Sequence, residues 1–257
     1  STVLFIFFIL FSFQVSAQRG ALKWSSDGNS YYLIENNNVM QYTLPGNNPK
    51  VLISKEQLTP QGSDTPLSVS YFLFSNDEKK VLIFTNTQRV WRLNTKGDYW
   101  VLDIEKESLT KLGKTLPASS LMFAKFSPDG NAVAYVGGNN IYVEDLNTST
   151  IKALTTDGNT TLINGTFDWA YEEEFACRDG FRWSPDSKSI AYWQIDASDI
   201  KKFYMINNTD AIYSQPIPLE YPKVGETPSS CRVGVVSVKD AKTKWMTIPG
   251  DPRQHYL

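Results

Sequence analysis

An all-β architecture, a β-propeller of four-stranded antiparallel blades, is what this 257-residue sequence predicts. Three observations predict it. A short motif recurs four times at a period near fifty residues, the residues after each copy alternate between apolar and polar, and no amphipathic helix of ordinary length interrupts the series. With 41% hydrophobic and 13% aromatic residues, the chain has enough apolar material for a sizeable core.

The four copies are KWSSDGNSYYLI from Lys23, LFSNDEKKVLIF from Leu73, KFSPDGNAVAYV from Lys125 and RWSPDSKSIAYW from Arg182. Each reads aromatic, Ser, any residue, Asp. The aromatics Trp24, Phe74, Phe126 and Trp183 are separated by 50, 52 and 57 residues, the interval of a repeat architecture. In Phe126 to Gly130, proline presets the first turn dihedral, Asp129 bonds back to the backbone and Gly130 takes the left-handed position, which makes a hairpin turn. After it NAVAYV alternates, the chain turns at Gly137 to Asn140, and IYVEDL alternates again, as antiparallel strands with one face buried would. Three or four strands fit each repeat, with the aromatics packed in the seams between sheets. Beyond Trp183, RVGVVSV (Arg232 to Val238) and KWMTI (Lys244 to Ile248) also read as strands. The 240 residues after position 17 hold four to five blades, more naturally an arc of a larger ring than a closed small one.

The opening STVLFIFFILFSFQVSAQ is apolar from Val3 to Phe13 and reaches Val15, Ser16 and Ala17, a small-residue cleavage pattern. It predicts a signal peptide over residues 1–17, cleaved before Gln18, and an exported protein, whether periplasmic, outer-surface or secreted. A membrane anchor is less well served, because Ser12 and Gln14 break the run short of the ~20 apolar residues a span needs. The chain starts with Ser1, so a fragment is expected. Twenty-five basic against 27 acidic residues, a net charge of -2, exclude a nucleic-acid partner. A single histidine, His255, reads as an ordinary loop residue, and two distant cysteines build no metal site; no cofactor is expected. Cys177 and Cys231 are 54 residues apart, a spacing that leaves open whether they pair, with buried thiols the simpler reading. Sequons at Asn147, Asn159, Asn164 and Asn207 matter only in a host that glycosylates exported proteins.

The longest interval contains DWAYEEEF, residues 168–175. Extra residues between blades form an excursion, where binding groups commonly sit. Read as a short helix capped by Asp168, it points successive side chains about 100° apart, so at most two of Glu172, Glu173 and Glu174 converge on one small ligand. Two converging carboxylates suit a primary ammonium, whose three N–H donors and positive charge offset their repulsion. The plain alternative is a solvated acidic turn.

DWAYEEEF, followed by FRWSPDSKSIAYWQID and then IPLEYPKVG, resembles the dipeptidyl peptidase IV family of serine exopeptidases in its bacterial secreted form, most specifically from Ile163 to Val236. The resemblance implies that residues 18–257 are part of an eight-bladed N-terminal propeller, with a C-terminal α/β-hydrolase domain absent from this chain. It implies that Glu173 and Glu174 bind the free amino terminus of a substrate, that Glu172 stabilises the excursion, and that Asp168, Trp169 and Tyr171 support it. It further implies that Arg92, in the Trp91-Arg92 pair of RVWRLNTKGDYWVLDI, bonds the carbonyl oxygens of the bound peptide; a surface arginine is the alternative. The parent protein would release N-terminal dipeptides with Pro or Ala second, through an acyl-enzyme, from peptide or protein N-termini; members of the family are often homodimers, and the sequence leaves the oligomeric state open. No G-x-S-x-G occurs, so a Ser-His-Asp triad cannot be assembled from these residues and the chain alone is not expected to hydrolyse peptides. Two questions stay open: whether Arg178 or Asp179 neutralises one of the acids, and what ETPSSC contributes. A reading of another class is a non-catalytic secreted propeller that only binds or acts as a scaffold.

Overall fold

The structure, a computed structural model, describes residues 22–254 and 256, so the expected signal segment 1–17, its cleavage point and His255 lie outside the described residues. The first blade is β1 (Lys23–Trp24), β2 (Ser30–Glu35), β3 (Asn38–Thr43) and β4 (Asn48–Ile53), paired in chain order. The second is β5 (Tyr71–Phe74), β6 (Lys80–Val90), β7 (Leu93–Asp103) and β8 (Ser108–Lys111), and the third is β9 (Leu121–Phe126), β10 (Ala132–Gly137), β11 (Asn140–Asp145) and β12 (Ile151–Ala153). In the fourth, β13 (Leu162–Asn164) and β14 (Phe181–Trp183) both pair with β15 (Ser189–Asp196), which continues to β18 (Ser230–Ser237) and β19 (Thr243–Trp245). All pairings are antiparallel, as a propeller blade requires.

The repeated motif is one hydrogen-bond pattern made four times. Ser25, Ser75, Ser127 and Ser184 each donate Oγ to the Asp two residues on, at 2.6, 2.6, 2.6 and 2.7 Å. Each of these Ser Oγ atoms also accepts from the backbone N–H five residues on, at 2.9 to 3.0 Å. The fourth turn position is left-handed throughout: Gly28 and Gly130, but also Glu78 (φ 56°) and Ser187 (φ 61°), so the side-chain bonds hold a conformation that sterics alone disfavour. The turns are linked in series. Ser26 donates to Glu78 (2.9 Å), Asn76 to the carbonyl of Pro128 (2.9 Å), and the Asp129 N–H to Ser187 (3.1 Å).

The expectation of one buried face per strand is corrected for the middle strands, which are buried on both. Along β6, Val81 and Ile83 pack with Tyr32, Val39 and Ile53 of the first blade, whereas Leu82 and Phe84 pack with Leu121, Val133 and Tyr135 of the third. In β10, Val133 and Tyr135 face the second blade, and Ala134 and Val136 join Phe181, Ile190 and Tyr192 of the fourth. The cause is stacking: each sheet is flanked by two others, so both sides of its centre leave water. Phe74, Phe126 and Trp183 border these seams, but Trp24 is 59% exposed, with Tyr31 edge-on to its ring.

Two features depart from the blade plan. β6 and β7 are 11 residues each and run on past a bulge at Thr85 to Gln88, forming an arm that ends in the two-residue loop Trp91 and Arg92. At the root of the arm β7 also pairs with β9, at Lys96↔Met122 and Gly97↔Leu121; a Cβ at Gly97 would stand 2.6 Å from the Thr85 carbonyl oxygen, so only glycine fits. A second hairpin, β16 (Lys202–Asn207) with β17 (Gln215–Glu220), stands away from the sheets, with nearly every side chain exposed. Pro216 and Pro218 of β17 alternate and lack N–H groups, so they blunt its outer edge while the residues between them serve the ladder. Among the described residues no helix is long and apolar enough to cross a membrane.

Candidate functional site

β13 and β14 lie end to end on one edge of β15. Asn164 pairs with Gln194 and Phe181 with Tyr192, only two positions along the strand, so the residues between Asn164 and Phe181 leave and return at nearly one point. The neck is closed by the Gly180 N–H on the Gly165 carbonyl (2.9 Å). A Cβ on Gly180 would stand 2.9 Å from the Gly165 carbonyl carbon, and Gly165 itself has φ +77°. The outer part of this excursion is α1 (Trp169–Phe175).

Asp168 caps α1 as expected: its Oδ1 accepts from the Tyr171 N–H (3.1 Å) and its Oδ2 from Ser229 Oγ (2.8 Å). Burial pushes its carboxyl above the ordinary range, opposed by those two donors. Ser229, 1% exposed, is one role of the unread ETPSSC segment; another is Cys231, buried with Tyr171, Ile163 and Ile195 beneath the helix. The Cys177 and Cys231 sulfurs are not bridged to each other. Trp169 packs at a tilt against Tyr221 (ring centroids 4.4 Å apart), and Tyr171 is fully buried beside Phe167.

The three adjacent glutamates meet three different environments. Glu172 is 4% exposed and accepts from Arg178 Nε (3.2 Å); Arg178 also donates to the Ala176 carbonyl (3.2 Å), beyond the C-terminal end of α1. Burial raises the Glu172 carboxyl, Arg178 pulls it back, and the charge of Glu173 raises it again. The question about Arg178 thus has an answer: it compensates the first acid and leaves the next two. Glu173 pairs with Arg92 Nε, although 81 residues separate them. The Arg92 side chain is 78% exposed at the tip of the β6–β7 arm, on a loop and not on a strand. Glu174 is exposed and lines a cleft of about 820 Å³ with Trp169, Phe203, Tyr221 and Tyr256. A narrower cavity of about 200 Å³ beneath the arm tip is bordered by Trp91, Asp168, Glu172 and Arg178.

Asp179 serves elsewhere. It pairs with Lys125 and, at 3.0 Å, with Arg182 Nη1. Neither Lys125 nor the Gly165–Gly180 neck was signalled by the motif, since both depend on which strand ends meet. Of the four sequons, Asn164 is 0% exposed and donates to Asp157 (2.9 Å) and Asn139 (3.2 Å), which closes it to a glycosyltransferase. Among the described residues no cluster of His, Cys, Asp or Glu could hold a metal.

What this arrangement can do chemically is present adjacent carboxylates, one neutralised by an exposed and displaceable guanidinium, beside an aromatic-lined cleft. Residues 75–257 match the family model described as the dipeptidyl peptidase IV (DPP IV) N-terminal region. Dipeptidyl aminopeptidase B of Saccharomyces cerevisiae is 34% identical over 196 residues, covering 74% of this chain and 23% of the yeast protein. Dipeptidyl peptidase 4 of Trichophyton tonsurans is 28% identical over 244 residues, covering 91% of this chain and 30% of that protein. The crystal structure of Porphyromonas gingivalis dipeptidyl peptidase 4 superimposes with a TM-score of 0.82 at 26% identity, over 91% of this chain and 33% of that one. The chain therefore spans between 23% and 33% of these relatives. The matched family model, with four blades that follow the architecture of a solved relative, shows that this chain belongs to the dipeptidyl peptidase IV family, within its N-terminal β-propeller region.

Proposed function

We propose that this chain is the substrate-anchoring part of a dipeptidyl peptidase, in which Glu173 and Glu174 together hold the ammonium at the start of a peptide. The observation that carries the reading is the meeting of Glu173 with Arg92 across 81 residues, next to a Glu174 whose carboxylate is open to a cleft. An ammonium is compact and has three donors, so it can bridge the two carboxylates and replace Arg92 on Glu173. The released guanidinium, already at the arm tip, then holds a carbonyl oxygen of the same peptide with its planar fork. Glu172 stays with Arg178 and takes no part in binding.

Anchoring the amine makes the site a ruler. With the first residue pinned, the second peptide bond is delivered to a serine nucleophile on a hydrolase domain outside this chain, which forms the acyl-enzyme and releases a dipeptide with Pro or Ala second. A segment from the interior of a protein offers no ammonium and is refused. The names of the relatives, dipeptidyl aminopeptidase B and dipeptidyl peptidase 4, support exopeptidase chemistry. In the full-length protein, Glu173→Ala and Glu174→Ala should each lower kcat/KM on Gly-Pro substrates by about a hundredfold, the loss of a charge-assisted contact in a desolvated site. Near-normal turnover by either variant would sink the assignment. A full-length protein that binds such peptides but never cleaves them would favour the scaffold reading.

A further inference from the structure

A cavity of about 640 Å³ lies between the inner strands β5 and β9 and the root of the β6–β7 arm, apart from the cleft beside Glu174. Its wall is apolar, formed in part by Leu73, Leu82, Phe84 and Tyr99, with the last two rings stacked 4.5 Å apart. Lys125 and Asp179 border it as well.

Three features set this cavity apart from a packing gap. First, Lys125 holds its carboxylate only in part: Asp179 is shared with Arg182, a largely exposed side chain outside the cavity wall, and among the described residues Lys125 has no other carboxylate within ion-pair distance. Lys125 Nζ completes its shell with the Phe123 carbonyl (3.1 Å) and the Phe181 ring face (3.5 Å to the centroid), partners that carry no formal charge. Burial is the main reason that its ammonium is held down to about 8, against the pull of Asp179, so this cation is poorly compensated where it stands. Second, Thr95 lines the cavity, and its Oγ1 is buried with no hydrogen-bond partner. An orphaned buried hydroxyl is unfavourable unless a partner arrives. Third, Phe123 has φ 54° within β9, a conformation that a bulky residue takes only under constraint, and it turns its carbonyl to Lys125. Such strain gathers at binding sites.

We propose that this cavity is a second ligand site, which takes a carboxylate carried on an apolar or aromatic body, with Lys125 Nζ donating to the acid and Thr95 Oγ1 offering a further bond. Lys125 identifies the head group of the ligand: once Arg182, which lies off the wall, takes Asp179, the ammonium left on the wall calls for one anion, and the apolar part of the wall calls for a body such as a benzyl or branched alkyl group. When Lys125 turns to the ligand, Asp179 is not stranded, because Arg182 holds its other oxygen at 3.0 Å. A free aromatic acid and the C-terminal carboxylate of a peptide share this chemistry.

Titration calorimetry on the full chain tests it with N-acetylphenylalanine, its primary amide, and N-acetyl-Ala-Ala-Phe as acid and amide. All four lack an ammonium, so the outcome does not depend on Glu173 and Glu174. The acids should bind about tenfold or more tightly than the amides, and Lys125→Met should erase that difference while leaving the amides unchanged. Binding of both acids assigns the site to peptide C-termini as well as free acids; binding of the short acid alone assigns it to free acids. Equal affinity of acid and amide for the unaltered chain, or no binding of either acid at millimolar concentration, overturns the proposal without recourse to any variant. Thr95→Val, which keeps the shape of the side chain, should weaken the acids severalfold; an unchanged affinity removes Thr95 from the site.

Discussion

Glu172 and Glu173 are adjacent, yet losing their cations should have opposite kinds of consequence. Arg178→Met keeps the apolar stem of the side chain and strips the counter-ion from an acid that is 4% exposed. The unfolding free energy should fall by about 3 kcal/mol. Because the abandoned acid can take up a proton, the loss should be smaller near pH 5 than near pH 8. Arg92→Met removes a side chain that is 78% exposed and largely solvated, although its partner Glu173 is only 7% exposed, so the stability loss should be smaller than in Arg178→Met, whereas KM for a peptide should rise in the full-length protein. Equal losses in denaturant titrations of the two variants would contradict this division of roles. That division was only half legible in the sequence. The acids, the capping Asp168 and the candidate Arg92 announce themselves locally, but the pairing of Arg92 with Glu173 depends on how an arm and a helix meet in space. Arg178 lies six residues from its acid and was visible as a neighbour, not as a partner.

At the scale of elements, the Ser-x-Asp turn was readable because its bonds are local, spanning two to five residues in all four copies. The length of β6 and β7 was not, since residues 85–95 carry no apolar alternation to mark strands that continue beyond the core. β17 was hidden by Pro216 and Pro218, which read as breakers and are tolerated only because the strand has a free edge. Nor did any pattern mark Gly180, whose partner is another backbone. Gly180→Ala should force the neck apart, at about 2 kcal/mol of stability, and should disturb peptide binding although the residue is remote from the acids in the fold's hydrogen-bond scheme. Wild-type melting and wild-type KM together would show that the neck yields without strain.

The whole molecule depends on seams between consecutive blades and on a chain of linked turns, and that makes acid its natural denaturant. Hydrogen bonds from Ser25 hold Asp27 down to about 2, and Ser75 and Ser184 likewise lower Asp77 and Asp186. A carboxyl lowered in the native state contributes stability above its unfolded value, about 4, and loses that contribution as pH falls toward the native value. Asp168 and Glu172, raised by burial, act in the opposite sense and are relieved by protonation. The denaturant midpoint should therefore hold steady above about pH 4 and drop between about pH 4 and pH 2, with Ser25→Ala lowering the plateau and making the drop shallower; a flat midpoint across that window would discount the turns. The blade repeat and the seams were foreseeable from period and composition, while burial on both faces became visible only once neighbouring sheets were in place. The excursion that carries the acids stands on a narrower footing than any of these: its two stems touch β15 two positions apart and are sealed by a glycine pair. The acids proposed to hold the amine thus sit on a cassette of residues 166–179, which could be exchanged for another of similar span, or reduced to a tight reverse turn, while the blade beneath keeps its ladder.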